Sequence, residues 1–312
     1  MEASGQIRRF RFGVHASSAR SGEAWVAFAR RVEELGYDVL YVTDHLSDQM
    51  SPISALAAAA AVTRRLRIGP YVFANDFRHP LVMAREAATL DYLSGGRLEL
   101  GLGAGWRRSD YRQLGYAYPP PGRRIDRLVE SLGVVKRLLA GETVTHDGRF
   151  YHLDRARIAP MPVQRPIPIH IGAGGPRMLR LAAHEADIVG LIPQFSPRGA
   201  TRMTDVGEGA LARKVALVRE TAGPRFDALE LSIYCADAGM VGSGHTVAGS
   251  IGSALKGALV APVGSPYFLF GTLRALRERL LRRREALGIS HYAIPHHAME
   301  GMAPLVDALA SR

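Results

Sequence analysis

The chain has 312 residues, 47% hydrophobic and 22% charged, an ordinary globular composition with too much core for a disulfide-held mini-domain. It contains no run of about 18 apolar residues, so no membrane span is expected, and its single cysteine, Cys235, precludes an intrachain disulfide and suits a reducing cytosol. Lys and Arg number 40 against 29 Asp and Glu, a formal charge of +11, but the arginines are scattered and their densest run, RALRERLLRRREAL, carries acids; no nucleic-acid partner is expected, and attraction to a polyanionic small molecule accounts for the charge as well.

In chain order, MEASGQIRRFRFG lacks the apolar segment of a secretory signal, and a cytoplasmic protein is expected. RFGVHA (11–16) reads as the first strand. EAWVAFARRVEEL follows as a helix, with Trp25, Phe28, Val32 and Leu35 at helical spacing. VLYVTD (39–44) is the second strand and ISALAAAAAVTRR its helix. RIGPYVFA (67–74) is the third, and its helix starts at Pro80, where the missing N–H is not needed. The fourth strand, LELGLGAG (98–105), leads into the helix IDRLVESLGVVKRLL. An insertion over about 141–166 contains a hairpin turning at Asp147-Gly148. IPIHIGA (167–173) with the helix GPRMLRLAAHEA makes the fifth unit, and DIVGLIP (187–193) opens the sixth. A second insertion covers about 194–206, before the helix ALARKVALVRE. LELSIYCAD (229–237) is the seventh strand, and a Gly-, Ala- and Ser-rich loop spans about 238–266. The helix TLRALRERLLRRREAL, the strand SHYAIPHH (290–297) and a short helix near 304–311 complete the pattern.

Eight strands alternating with helices predict a parallel sheet. Their number and the chain length match a single (β/α)8 TIM-barrel domain over residues 1–312, with a doubly wound open sheet as the alternative.

In such a barrel, function gathers at the C-terminal ends of the strands. Asp44 and His45 sit at the end of the second strand. Position alone leaves two readings, a reactive pair or a cap with a rim-covering ring. The third strand contains Pro70, which cannot donate to a ladder, so a distortion is expected near Tyr71. In the fourth, Gly101, Gly103 and Gly105 share one face, which admits close approach of another body or a tight bend. IGAGGPRM places Gly172, Gly174 and Gly175 after a strand with Pro176 opening a helix, a candidate phosphate cradle or a flexible turn. His15 and His170 have the opposite parity to their aliphatic neighbours, which aims them into the barrel mouth or makes them buried, hydrogen-bonded residues. His296-His297 end the eighth strand, but no spacing fits a metal site. Cys235, within a strand, reads as a packed thiol.

Taken together, EELGYDVLYVTDHL, NDFRHPLVMAREAATLDYLSGGRLELGLGAGW, PPPGRRIDRLVESL and HIGAGGPRMLRLAAHEADIVGL resemble the luciferase-like monooxygenase superfamily. These are flavin- or deazaflavin-dependent (β/α)8 barrels. The resemblance covers nearly the whole chain and is nearest to the branch using the deazaflavin coenzyme F420. It implies that Asp44 and His45 lie beside the reactive ring, with His45 in proton transfer. It implies a non-proline cis peptide at Tyr71-Val72 backing that ring, a lining from Asn75 and Gly103-Ala104-Gly105, and a phosphate held by Gly172, Ala173, Gly174, Gly175 and Pro176. The sugar-phosphate dehydrogenases of this branch carry a catalytic glutamate where this chain has Trp106. That departure argues against sugar-phosphate oxidation and leaves Trp106 as an apolar substrate wall or as packing against the insertion. His15 and His170 are further candidate substrate contacts. The implied activity is hydride transfer from reduced F420 to an electron-poor C=C or C=N bond of a small molecule. The alternatives are an FMN-dependent monooxygenase and a non-catalytic deazaflavin-binding protein. A homodimer is compatible with the superfamily.

Overall fold

The computed structural model describes residues 8–195, 201–240 and 264–310. Contacts gather into two compact units. One contains the described residues up to Ala16, with Val32–Val39 and those from Gly172 on; the other contains Ser17–Arg31 and Leu40–Ile171.

In the first unit, strand β1 (Arg11–Ala16) pairs in parallel with β13 (Ile289–Pro295), Gly13 lying opposite Ala293. β13 pairs in parallel with β10 (Glu230–Tyr234), which pairs in parallel with β9 (Ile188–Leu191). Every residue of β13 is buried, as a strand covered on both faces requires. Helices α6 (Pro176–Glu185) and α7 (Glu208–Ala222) pack on each other, and α8 (Leu273–Leu287) packs on β13. Thr272 caps α8 by accepting from the Ala275 N–H, and Gly288 ends it in the left-handed region at φ 75°. The last helix, α9, runs Met299–Ala310 and so begins earlier than the expected 304. The Gly-rich segment from 238 opens as a strand instead of a loop: β11 (Asp237–Met240) pairs in parallel with β12 (Phe268–Gly271). Four consecutive buried residues in β11 make ladder pairing the way to satisfy their backbone groups. Residues 241–263 of that expected loop, and 196–200 of the 194–206 insertion, lie outside the described residues.

In the second unit, β4 (Phe73–Ala74) pairs in parallel with β5 (Leu100–Gly103), and β5 with β8 (Ile169–Ala173), Gly101 lying opposite His170. The predicted third strand is two strands, β3 (Arg67–Pro70) and β4, separated by a cis peptide at Tyr71-Val72. The Tyr71 N–H donates to the Val42 carbonyl of β2 (Val39–Val42) at 2.8 Å. The glycine face of β5 is approached closely, as expected, and the approaching body is the chain itself. A Cβ on Gly103 would lie 2.6 Å from the Val72 Cγ2, and one on Gly101 would collide with the Pro70 carbonyl. In the same unit α3 (Pro80–Ser94) packs on both α2 (Pro52–Val62) and α5 (Pro121–Leu139), each with proline in its first turn. A short helix with no sequence signal, α4 (Arg108–Gln113), fills the connection from β5 to α5. The hairpin β6 (Val144–Asp147) and β7 (His152–Ala156) is antiparallel as expected and closes through Gly148, whose N–H donates to the Tyr151 carbonyl. Glu130 of α5 pins its turn by accepting from the Phe150 and Tyr151 N–H groups at 3.0 and 2.9 Å.

No helix is long and apolar enough to cross a membrane, among the described residues.

Candidate active site

Asp44 and His45 leave β2 in the second unit and take separate partners. Asp44 is buried. Its carboxylate accepts two bonds from the Arg78 guanidinium, at 2.6 and 3.1 Å, and one from the Ala74 N–H at 2.9 Å. It therefore ties the end of β2 to β4 and to the connection before α3. His45 keeps its side chain one-fifth exposed, and its Nδ1 lies 2.7 Å from Oδ2 of Asp110 on α4. A carboxylate only accepts, so Nδ1 carries the proton of the neutral ring and Nε2 its lone pair. Nε2 makes no hydrogen bond among the described residues. Trp106 meets the imidazole edge-on, at 5.6 Å between centroids and 89° between planes.

The β5–α4 turn is built to hold these groups. Gly105 has φ 71°, and a Cβ there would lie 2.5 Å from the Tyr111 hydroxyl, so only glycine suits the position. Arg124 donates to the Gly105 carbonyl at 3.0 Å, and the Tyr118 hydroxyl donates to the Trp106 carbonyl at 2.7 Å. Asn75, fully buried, donates through Nδ2 to the Tyr151 hydroxyl at 3.0 Å. Its Oδ1 has no partner among the described residues. Next to it, buried Asp76 accepts from Tyr111 at 3.0 Å and faces Arg127 at 3.2 Å. His170, with no exposed surface, is packed edge-on against Tyr71 and Tyr41 at 5.0 and 5.8 Å. The second unit thus brings together Asp44, His45, Asn75, the Gly103–Trp106 turn and Tyr71-Val72 as neighbours in its strands and turns.

Gly172 to Pro176 belong to the first unit, where the loop enters α6. A Cβ on Gly174 would lie 2.9 Å from the Pro193 carbonyl, so its own backbone neighbour demands that glycine; Gly175 opens onto free space. No side chain caps the first turn of α6.

Also in the first unit, His15 is a buried, hydrogen-bonded ring: its Nε2 is 3.0 Å from the Cys235 carbonyl and it stacks on Tyr234 at 4.5 Å. Burial, reinforced by His296 and His297 and opposed by the Cys235 carbonyl and Asp237, pushes its pKa down to about 4. Between about pH 6.5 and 4 the unfolded chain binds a proton that native His15 refuses. Stability therefore falls on acidification through that window, by up to about 3 kcal/mol. Urea midpoints at pH 7 and 4.5 are expected to lie closer together for His15→Asn than for the parent; an unchanged gap would assign the acid sensitivity elsewhere. Burial likewise pushes the Cys235 thiol up to about 12, as an inert packed thiol requires.

Asp110, Arg78 and Tyr151 escaped the sequence reading. Asp110 follows the glycine turn by five residues within RRSDYRQ, where nothing distinguishes it from a solvated acid. Among the described residues no three His, Cys, Asp or Glu side chains are arranged to hold a metal ion.

The luciferase-like monooxygenase family model matches residues 7–227. The chain is 37% identical over 229 residues to an F420-dependent glucose-6-phosphate dehydrogenase from Nakamurella multipartita, covering 70% of this chain and 65% of that protein's length. Among solved structures, a coenzyme F420-dependent tetrahydromethanopterin reductase from Methanopyrus kandleri superposes with a TM-score of 0.74 at 17% identity, over 97% of this chain and 100% of that one. An EDTA monooxygenase from Chelativorans superposes with a TM-score of 0.77 at 16% identity, over 98% and 94%. These likenesses give the fold, a (β/α)8 TIM barrel, in agreement with the parallel strands and alternating helices of the chain. The family match spans more than two-thirds of the sequence, and the chain belongs to the luciferase-like monooxygenase family.

Proposed function

We propose that this protein is an F420-dependent oxidoreductase, a reductase of an electron-poor C=C or C=N bond in a small molecule. The observation that carries the reading is His45, held through Nδ1 by buried Asp110 with Nε2 left open. The 37% identity to a dehydrogenase that uses F420 supports the cofactor. Buried Asn75, whose Oδ1 lacks a partner among the described residues, fits a donor group of a bound ring system, because an orphaned buried acceptor is costly.

In this reading Asn75, Tyr71-Val72 and the Gly103-Ala104-Gly105 turn line the ring. When bound, reduced deazaflavin supplies the hydride. Asp110 accepts from the Nδ1–H of His45, and the ring, when protonated on both nitrogens, gives the Nε2 proton to the atom beside the one reduced and is left as the neutral Nδ1–H tautomer. Trp106 walls the substrate and keeps water from the imidazole. Asp44 holds the site's shape through Arg78 and Ala74. Trp106, standing where the sugar-phosphate dehydrogenases carry a glutamate, has no proton to move, so a substrate other than a sugar phosphate is favoured.

Titrating the purified protein with F420 and with FMN separately, then adding cyclohexenone to the reduced complex without oxygen, tests this. Saturable F420 binding, weaker FMN binding and loss of the reduced cofactor are expected. Preference for FMN with oxygen consumption would identify a monooxygenase, and F420 binding with no acceptor turned over would leave a binding protein.

A further inference from the structure

Asn75 follows β4, opens a single turn of 3₁₀ helix over Asn75–Phe77, and is fully buried. Among the described residues its side chain has one partner: Nδ2 donates to the Tyr151 hydroxyl at 3.0 Å, while Oδ1 has none. The last torsion of an asparagine is broad and two-fold, so a lone buried amide could present either its oxygen or its NH₂. Tyr151 removes that choice. With the NH₂ engaged, the oxygen is the end left open.

Tyr151 comes from the hairpin insertion, 76 positions along the chain from Asn75, and its own place is fixed from three sides. Its N–H and that of Phe150 donate to Oε1 of Glu130 on α5, at 2.9 and 3.0 Å. Its carbonyl accepts from the Gly148 N–H at 3.0 Å, and its ring meets His79 edge-on with 5.6 Å between centroids. A Cβ on Gly148 would collide with the Glu130 carboxylate, so the turn closes directly on that group. Burial by itself would raise the pKa of Glu130. The Phe150 and Tyr151 N–H groups and His146, at 3.2 Å, outweigh it and hold the carboxyl below its usual value. Glu130 thus stays a pure acceptor for two backbone donors, and the hydroxyl of Tyr151 is delivered to Asn75 by a braced turn.

We infer that Tyr151, braced by Glu130, is a positioning residue of the redox site. Acting through Asn75, it fixes an acceptor toward the bound ligand, and the site selects a ligand that offers an N–H or O–H there. The inference rests on the redox reading above and gives the hairpin insertion a part in it. F420 is the probe, titrated calorimetrically into the full chain below the thermal midpoint of each variant. Tyr151→Phe keeps the ring and its contact with His79 and removes only the oxygen. It is expected to weaken F420 binding about tenfold, the scale of one misplaced buried hydrogen bond. In an Asn75→Ala background the same substitution is expected to change the affinity less than about twofold, because the group it acts through is gone. Glu130→Ala is expected to weaken binding as Tyr151→Phe does. Glu130→Gln is expected to restore most of that loss, since an amide oxygen still accepts from both N–H groups. Equal losses from Tyr151→Phe in the two backgrounds would leave Tyr151 a structural role alone, and no loss in the parent background would leave it none. Either result overturns the inference while the parent still binds F420. Absence of saturable F420 binding by the parent would instead remove the redox reading, and this inference with it.

Discussion

Replacing His45 by alanine lowers turnover about 10²–10⁴-fold while the dissociation constant of F420 stays close to that of the parent, the range expected when a positioned proton donor is lost. The expectation follows from how the ring is held. Its Nδ1 is committed to Asp110 at 2.7 Å, so Nε2 alone is free to act. Asp110 is almost wholly buried, with its second oxygen unpartnered among the described residues, so its interaction with the imidazole is its main polar contact. Asp110→Asn tests the arrangement from the other side. An amide can turn its NH₂ toward Nδ1, which disfavours the doubly protonated ring that gives the proton and lowers turnover about 10–100-fold, as loss of an orienting partner does elsewhere. A merely structural Asp110 would lower stability without changing the pH profile, whereas a positioning residue changes the profile of turnover. Single-turnover rates with cyclohexenone and binding titrations on the same samples separate these outcomes. Equal losses of turnover and affinity in His45→Ala would remove the catalytic assignment.

Asp44→Ala, one residue earlier, is expected to act on stability, by about 3–5 kcal/mol, the cost of breaking a buried pair from one side. The carboxylate receives both Arg78 nitrogens and the Ala74 N–H. Without it, Arg78 keeps Glu86 at 3.4 Å and the face of the Phe73 ring at 4.5 Å among the described residues, and the Ala74 N–H loses its acceptor. Urea unfolding measures the change. Arg274→Ala on exposed α8, where the pair with Glu278 is an ordinary i,i+4 surface contact, serves as the comparison and should leave the midpoint unmoved. A small effect of Asp44→Ala would mean that the bidentate pair does not brace the ends of β2 and β4. Two adjacent residues are thus expected to separate by assay, one through the folded fraction and the other through the rate.

Local patterning determined much of this protein. The alternation of apolar strands with helical stripes specified the parallel α/β class, and proline at helix starts placed α3 and α6. The glycine face of β5 announced a close approach. The Tyr71-Val72 cis peptide and the roles around it came through family resemblance, since no spacing rule yields them. Only the tertiary structure decided what meets each residue. Asp110 reaches His45 across 65 positions, Arg78 closes on Asp44 across 34, and the body lying against Gly101 and Gly103 proved to be the chain's own third strand. Likewise β11 is a strand because β12 supplies its ladder, although its sequence is that of a loop. The reason is physical: periodicity records which face of an element is buried, a property of neighbours along the chain. Hydrogen-bond and charge partners depend on where separate turns cross in space, which neighbours along the chain do not record.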